Sequence, residues 1–346
     1  MASEWKGRSR GGKTGYMIFI FLLRNLGLGA AYALLSLVSL YYIPAAPRST
    51  AEIWRYARRI LHYGRLRSAV FIYRNYFAFG QSIIDKVAIS SGMEDRFKFE
   101  FEGADPVSEA FRSRTGIVTI GAHFGNWAAG EPFFRDFGAI LNIVMFDNES
   151  ADIKEVLEKN SEYGKSFKII PVNKDNIAHV FMITEALDRG EAVSFLGDRY
   201  LNEDKLLETT LLGRNVKFPS GPFLISSRMK APVYFYFAVR EKGRCYRFRF
   251  VKADIPQRSK GGPRPEQAVL EQFASVLSEE ILRHPEQWYN YYDFWGFKQR
   301  EYGFQVQRGE NESVGSSEGG ARHSLRTHSV PGQPPDGEIR HFQASD

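Results

Sequence analysis

The sequence predicts an α/β fold: a mostly parallel sheet flanked by helices, with an N-terminal membrane-anchoring helix. Short apolar runs alternate with helical stretches from residue 97 onward, the pattern that builds a parallel sheet between helix layers. A long apolar segment follows a basic N-terminus. The chain's 346 residues, 43% of them hydrophobic, suffice for one large core with accessory segments.

The elements follow in order. Lys6, Arg8, Arg10 and Lys13 precede the apolar run Met17 to Leu23, Arg24-Asn25 interrupts it, and Leu26 to Ile43 resumes it. The second run approaches the ~20 residues that cross a bilayer. Tyr41 and Tyr42 stand where an interfacial aromatic belt belongs. The segment reads as a membrane anchor, spanning or lying in one leaflet, with its basic end cytoplasmic; the competing reading is a long buried core helix. Pro44 to Thr50 reads as a linker, and helical patterning runs from Ile53 to about Ser91. Strands are expected at Phe97 to Glu102, Ile117 to Ala122, Ala139 to Phe146, Phe167 to Pro171, Ala192 to Leu196, Val233 to Val239 and Tyr246 to Val251. Helices are expected at Ala151 to Glu162, Ile177 to Arg189, Gly221 to Met229 and Pro263 to His284. From Phe304 on, polar residues without periodicity predict a disordered tail. The chain thus divides into a basic N-terminus and anchor (1–45), a main α/β domain (46–303) and a tail (304–346). On this reading the anchor attaches the chain to a membrane without building the core, so removing Met1 to Ile43 leaves a folded domain.

Two motif matches fail on context. Gly7 to Thr14 fits a phosphate-binding loop, yet no buried strand delivers it. Gly315 to Gly319 fits a nucleophile elbow but lies in the polar tail. Net charge is +6 and the isoelectric point about 9.2. This suits an acidic partner: nucleic acid, an anionic membrane surface or an acidic carrier protein. Cys245 is the only cysteine, which excludes a disulfide framework and a thiolate metal cluster and fits a reducing cytoplasm. No small-residue cleavage site closes the apolar region, so no cleavable signal peptide is expected.

The candidate site is GAHFGNWAAGE, residues 121–131. In an open α/β sheet ligands bind beyond the carboxyl ends of strands, and His123 stands one residue past such an end. Gly121 and Gly125 permit a tight turn, Asn126 suits a cap, and Trp127 suits a pocket wall. Asp198 and Arg199 likewise follow the apolar strand ending at Leu196, and the Arg199 fork suits a phosphate. Ser220 and Gly221 precede an apolar helix whose N–H groups suit an anion. Arg247 and Arg249 share one face of a strand, open to solvent or to an acidic carrier. The cluster WYNYYDFW (288–295) reads as interfacial or core aromatic packing.

The blocks AHFGNW, GDRY (197–200), KFPSGPFLISSRMKAPV (217–233) and HPEQWYNYYDFW (284–295) together resemble the lipid A biosynthesis (lauroyl/myristoyl) acyltransferase family of the lysophospholipid acyltransferase superfamily, in its membrane-bound Bacteroidetes-type form. The resemblance implies an inner-membrane enzyme at the cytoplasmic face. It implies transfer of a fatty acyl group from an acyl carrier protein or acyl-CoA to a hydroxyl or amine of a lipid acceptor, with no cofactor, metal or nucleic acid. In the family's H-x4-D/E motif the histidine is the general base and the carboxylate orients it. His123 matches the base, but Ala128 occupies the carboxylate position. Pro132 favours a helix start nearby, which makes Glu131 the candidate substitute. Two other readings stay open: a catalytically impaired relative that binds or scaffolds, and a soluble nucleotide or nucleic-acid binder.

Overall fold

The structure is a computed structural model that describes residues 12–146, 167–172, 177–200, 205–259 and 261–297. The expected helix at Ala151 to Glu162, the basic residues Lys6, Arg8 and Arg10, and the tail from residue 304 lie outside the described residues. Helices α1 (Gly12–Ala45), α2 (Pro47–Arg55) and α3 (Arg65–Ser90) come first. Then come β1 (Lys98–Glu102), α4 (Asp105–Arg112), β2 (Ile117–Gly121), α5 (Glu131–Asp136), β3 (Leu141–Phe146), β4 (Phe167–Val172), α6 (Ala178–Asp188) and β5 (Ala192–Leu196). The hairpin β6 (Leu206–Leu211) and β7 (Arg214–Pro219) leads into α7 (Ser220–Ser226), followed by β8 (Val233–Arg240), β9 (Cys245–Lys252) and α8 (Pro265–Arg283).

Seven strands form one sheet in the order β1-β9-β8-β2-β5-β3-β4. Apart from the antiparallel β8–β9 pair, its pairings are parallel, as the alternating pattern predicts. The central strands are buried on both faces, so they read as continuous apolar runs. On β8 the period of two sorts the aromatics: Tyr234 and Tyr236 join the core under α3 and α5, while Phe235 and Phe237 meet Phe273 of α8 on the other face.

The region expected to be a linker is helical. Pro44 sits in the last turn of α1, and Pro47 opens α2, where its missing N–H costs no hydrogen bond. A π-helical turn, Tyr56–Ile60, extends α2 before the chain breaks and α3 begins. The β6–β7 hairpin was not legible because its two-residue turn, Leu212-Gly213, takes positive φ at both positions. Gly is an ordinary choice there; Leu is not.

The separation of anchor from core is overturned. Leu23, Leu28, Ala31 and Leu35 of α1 belong to the same buried cluster as Phe134, Tyr236 and Tyr246. Leu35 packs so closely on Gly80 of α3 that a Cβ there would come within 2.2 Å of Leu35 Cδ1. The long-core-helix reading therefore holds for one face of α1. Gly27 (φ 77°, ψ −179°) breaks the helix in a conformation open essentially to glycine alone.

One buried carboxylate fastens this assembly. Asp85 of α3 is 0% exposed. It accepts hydrogen bonds from Tyr32 of α1, from Arg240 Nε on β8 at 2.8 Å and from the Tyr246 hydroxyl on β9 at 2.6 Å. Breaking a buried pair by removing one member typically costs about 3–5 kcal/mol, because the other charge stays buried. Asp85→Ala should therefore lower the unfolding free energy by about 3–5 kcal/mol in denaturant titration. Deleting Met1 to Ile43 should leave a protein without a cooperative thermal transition, because it uncovers the core side of α1.

Candidate functional site

Strand register assembles the site. Parallel strands β2 and β5 pair Ile117 with Ala192 and continue to Gly121 with Leu196. Two residues further on stand His123 and Asp198, and Gly197 N–H donates to Gly121 O at 2.8 Å to hold the two extensions together. His123 Nδ1 lies 2.8 Å from Asp198 Oδ1, and the His123 backbone N–H donates to Asp198 Oδ2 at 3.0 Å. The Asp198 side chain is 0% exposed and that of His123 is 23% exposed. Burial alone would favour the protonated acid. The imidazole opposes it through its charge and ring hydrogen bond, with Arg199 and the His123 N–H assisting, and the Asp198 carboxyl is held below its usual range. An ionised carboxylate only accepts, so Nδ1 carries the hydrogen in either charge state of the ring, and whenever the ring is neutral its lone pair is on Nε2.

The loop after His123 is fixed from several sides. Gly125 (φ 63°) donates its N–H to Gln287 O at 2.8 Å, and a Cβ at this position would sit 2.0 Å from Ala238 O. Asn126 is 6% exposed. Its Nδ2 donates to Ser82 O at 2.9 Å and to the Tyr246 hydroxyl at 3.2 Å, so it ties the loop to the Asp85 cluster and does not face a ligand. Gln287 binds both the N–H and the C=O of Arg240 (2.9 and 2.7 Å). Tyr289 N–H donates to His123 O at 2.9 Å.

The remaining site expectations divide. Arg199 is placed beside the pair and donates to Tyr289 O at 3.1 Å. Trp127 is partly exposed and stands edge-on to Phe167 at 6.4 Å. Lys86 Nζ lies 5.4 Å from its ring centre, and burial draws the Lys86 ammonium pKa down. Ser220 and Gly221 open α7 at the end of the β6–β7 hairpin, in a sheet separate from the one that carries His123. The Ser220 N–H is taken by Lys205 O at 2.9 Å. Glu131 begins α5 behind a short 3-10 turn, Trp127–Gly130, and its side chain lies outside the described part of the structure. Ala128 is 2% exposed.

The basic strand face is not open to a carrier. Arg247 meets Glu102, Glu241 and Glu280, and Arg249 meets Glu102, Glu279 and Glu280, at 3.0–3.3 Å. Parallel pairing with β1 and packing of α8 supply carboxylates that strand periodicity alone does not foretell.

The aromatic cluster holds residues whose part the sequence did not reveal. Trp288 and Trp295 pack with Tyr56 in the core, at 5.3 and 5.7 Å. Tyr289 and Tyr292 instead close around the site. The Tyr292 hydroxyl donates to Asp198 O at 2.9 Å; burial, then the nearby Asp198 charge, hold this phenol well above its ordinary pKa, so it remains a donor. Asn290, between them, is 9% exposed, and its side chain lies against the Tyr292 phenol. Among the described residues, no group of three His, Cys, Asp or Glu side chains is placed to hold a metal ion.

The lowered Asp198 pKa has a measurable consequence. A carboxyl depressed in the folded state contributes stability that is present above its unfolded pKa and is lost as pH falls through the folded one. Asp198→Asn should therefore be less stable than the native chain at neutral pH in urea titrations. The difference should shrink as pH drops through the acid range, where both side chains are uncharged.

No curated protein shows a significant match to the chain. The family model described as bacterial lipid A biosynthesis acyltransferase matches residues 70–295. That span runs from α3 to the end of the aromatic cluster and includes His123, Asp198 and the segment that closes over them. The chain belongs to the bacterial lipid A biosynthesis acyltransferase family and is an acyltransferase.

Proposed function

We propose that the chain transfers a fatty acyl group from an acyl thioester, carried on acyl carrier protein or CoA, to a hydroxyl or amine of a lipid acceptor at the cytoplasmic face of the inner membrane. His123 is the general base. One observation carries this reading: the 2.8 Å contact between His123 Nδ1 and the buried carboxylate of Asp198. A carboxylate in this place fixes the tautomer that presents Nε2 as base and stabilises the imidazolium that forms. The acceptor's proton passes to Nε2 as its oxygen or nitrogen attacks the thioester carbonyl carbon. The tetrahedral adduct then collapses, the C–S bond breaks, and the departing thiolate takes the proton from the imidazolium.

Asp198 orients the base in this reading, supplied by the neighbouring strand in place of position 128. Arg199 offers its guanidinium to a phosphate on the acceptor or carrier. Trp127 lines the site. The rival, an impaired relative that binds without catalysis, rests on Ala128. The His123–Asp198 contact speaks against it, because it meets the need that the missing motif carboxylate leaves.

Transfer assays with an acyl thioester and extracted lipid A precursors test the assignment. His123→Ala should lower the rate by about 10²- to 10⁴-fold with the fold intact. Asp198→Asn should cost a large part of the same loss, and the double variant should be scarcely worse than His123→Ala, since groups acting as a unit are non-additive. Glu131, the other carboxylate proposed for this role, is separated by the same assay. Glu131→Gln should lose less than Asp198→Asn; a greater loss would give the orienting part to Glu131.

A further inference from the structure

We infer that α1 does not cross the bilayer. Instead, α1 and α3 present one apolar, arginine-fringed surface that sits on and partly within a single leaflet of an anionic membrane. The inference rests on the membrane-associated reading above and concerns its geometry.

The two sides of α1 differ. Leu28, Ala31, Leu35 and Ser39 form a buried stripe at helical spacing. On the opposite side Leu26, Leu37, Leu40 and Tyr41 are 54–67% exposed. By length and composition Phe21–Ala45 is able to span. A spanning pose, however, would carry Tyr32, near the middle of that segment, to the depth of the hydrocarbon. Tyr32 is hydrogen-bonded to Asp85, and Asp85 pairs with Arg240 of the central sheet. The sheet and its charges would have to follow, which hydrocarbon strongly disfavours. A helix with one side docked on a folded domain and the other apolar fits a leaflet surface.

Charge identifies the surface. Between Gly12 and Ile84 the sequence has nine Lys and Arg and a single acidic residue, Glu52. Glu52 is buried and paired with Arg55 at 2.7 Å. Arg48, Arg65, Arg67 and Arg74 are exposed. Beside them on α3, Leu66 is 81% and Val70 51% exposed, an apolar pair one turn apart amid cations. Basic side chains bordering exposed leucine and valine match anionic headgroups above acyl chains. Phe79 and Ile83, further along α3, are 37% and 44% exposed. Phe79 packs on Tyr289 at 5.0 Å, and the Tyr289 N–H donates to His123 O. Phe79 thus joins the exposed part of α3 to the segment whose backbone holds His123.

The full chain tests this in two ways. In flotation, vesicles of equal parts phosphatidylcholine and phosphatidylglycerol should bind at least ~10-fold more protein than phosphatidylcholine alone. The variant Arg48→Gln/Arg65→Gln should bind the anionic vesicles about 30-fold more weakly at an unchanged melting temperature, given roughly 1 kcal/mol per basic residue near the surface. Equal binding to both vesicles would overturn the assignment of the arginines. For topology, Ser3→Cys and Lys242→Cys, each in a Cys245→Ser background, are labelled with an impermeant maleimide in inner-membrane vesicles of known orientation. Both should react from the same side. Reaction from opposite sides would establish a crossing helix and overturn the inference, while leaving the membrane reading intact. Failure to float with either vesicle would instead remove the membrane reading itself.

Discussion

Burial of the Asp85 carboxylate constrains most of what surrounds it. A charge taken out of water demands close partners. Asp85 finds them on three different elements: Tyr32 on α1, Arg240 on β8 and Tyr246 on β9. The same cluster reaches the loop after β2 through the contact of Asn126 with the Tyr246 hydroxyl. It reaches the C-terminal segment through Arg240, whose backbone is held by Gln287. One residue on α3 therefore fixes where the N-terminal helix docks and how the site loop is framed. Such a cluster gains its value from complete satisfaction; a partly satisfied one in the same place would cost stability.

The His123–Asp198 pair shows how a fold can supply a chemical group that a local motif lacks. In a motif of the H-x4-D/E kind, histidine and carboxylate share one segment, and their spacing sets their distance. Here Ala128 occupies the second position, and Asp198, 75 residues downstream of His123, stands at the matching end of the adjacent parallel strand. In-register pairing of β2 and β5 makes the meeting geometrically unavoidable once the two strands are neighbours. The closing segment Trp288–Tyr292 adds a lid of hydrogen bonds: its backbone clasps His123 and Arg199, and Tyr292 clasps Asp198.

The arginines divide between two kinds of work, and the division follows burial. Arg247 and Arg249 are only 15–17% exposed and are surrounded by Glu102, Glu241, Glu279 and Glu280. They cement β9 to β1 and α8, so a basic strand face in the sequence becomes an internal ion-pair network. Between residues 48 and 74 the balance is reversed, with seven arginines and one glutamate. An overall charge of +6 says little by itself. Its location, beside exposed leucine and valine and next to the apolar helix α1, gives it a physical meaning.

Much of the fold was legible because strand and helix periods are local properties. The strand Ala192–Leu196 falls where its apolar run predicts, and α8 lies within one or two residues of the expected span. His123, Asp198 and Arg199 were legible as positions just past strand ends. Other features were not. The β6–β7 hairpin turns through a leucine at positive φ, against the usual preference. The packing side of α1 was hidden because an apolar helix reads alike in lipid and in a protein core. The sequence by itself determined the alternation of strands and helices, the family and the set of polar residues at the sheet's edge. Which of them meet was decided only by tertiary structure: strand order puts Asp198 against His123, turns Asn126 towards Tyr246 and surrounds Arg247 with carboxylates. Strand order arises from non-local packing, and neither residue spacing nor composition records it.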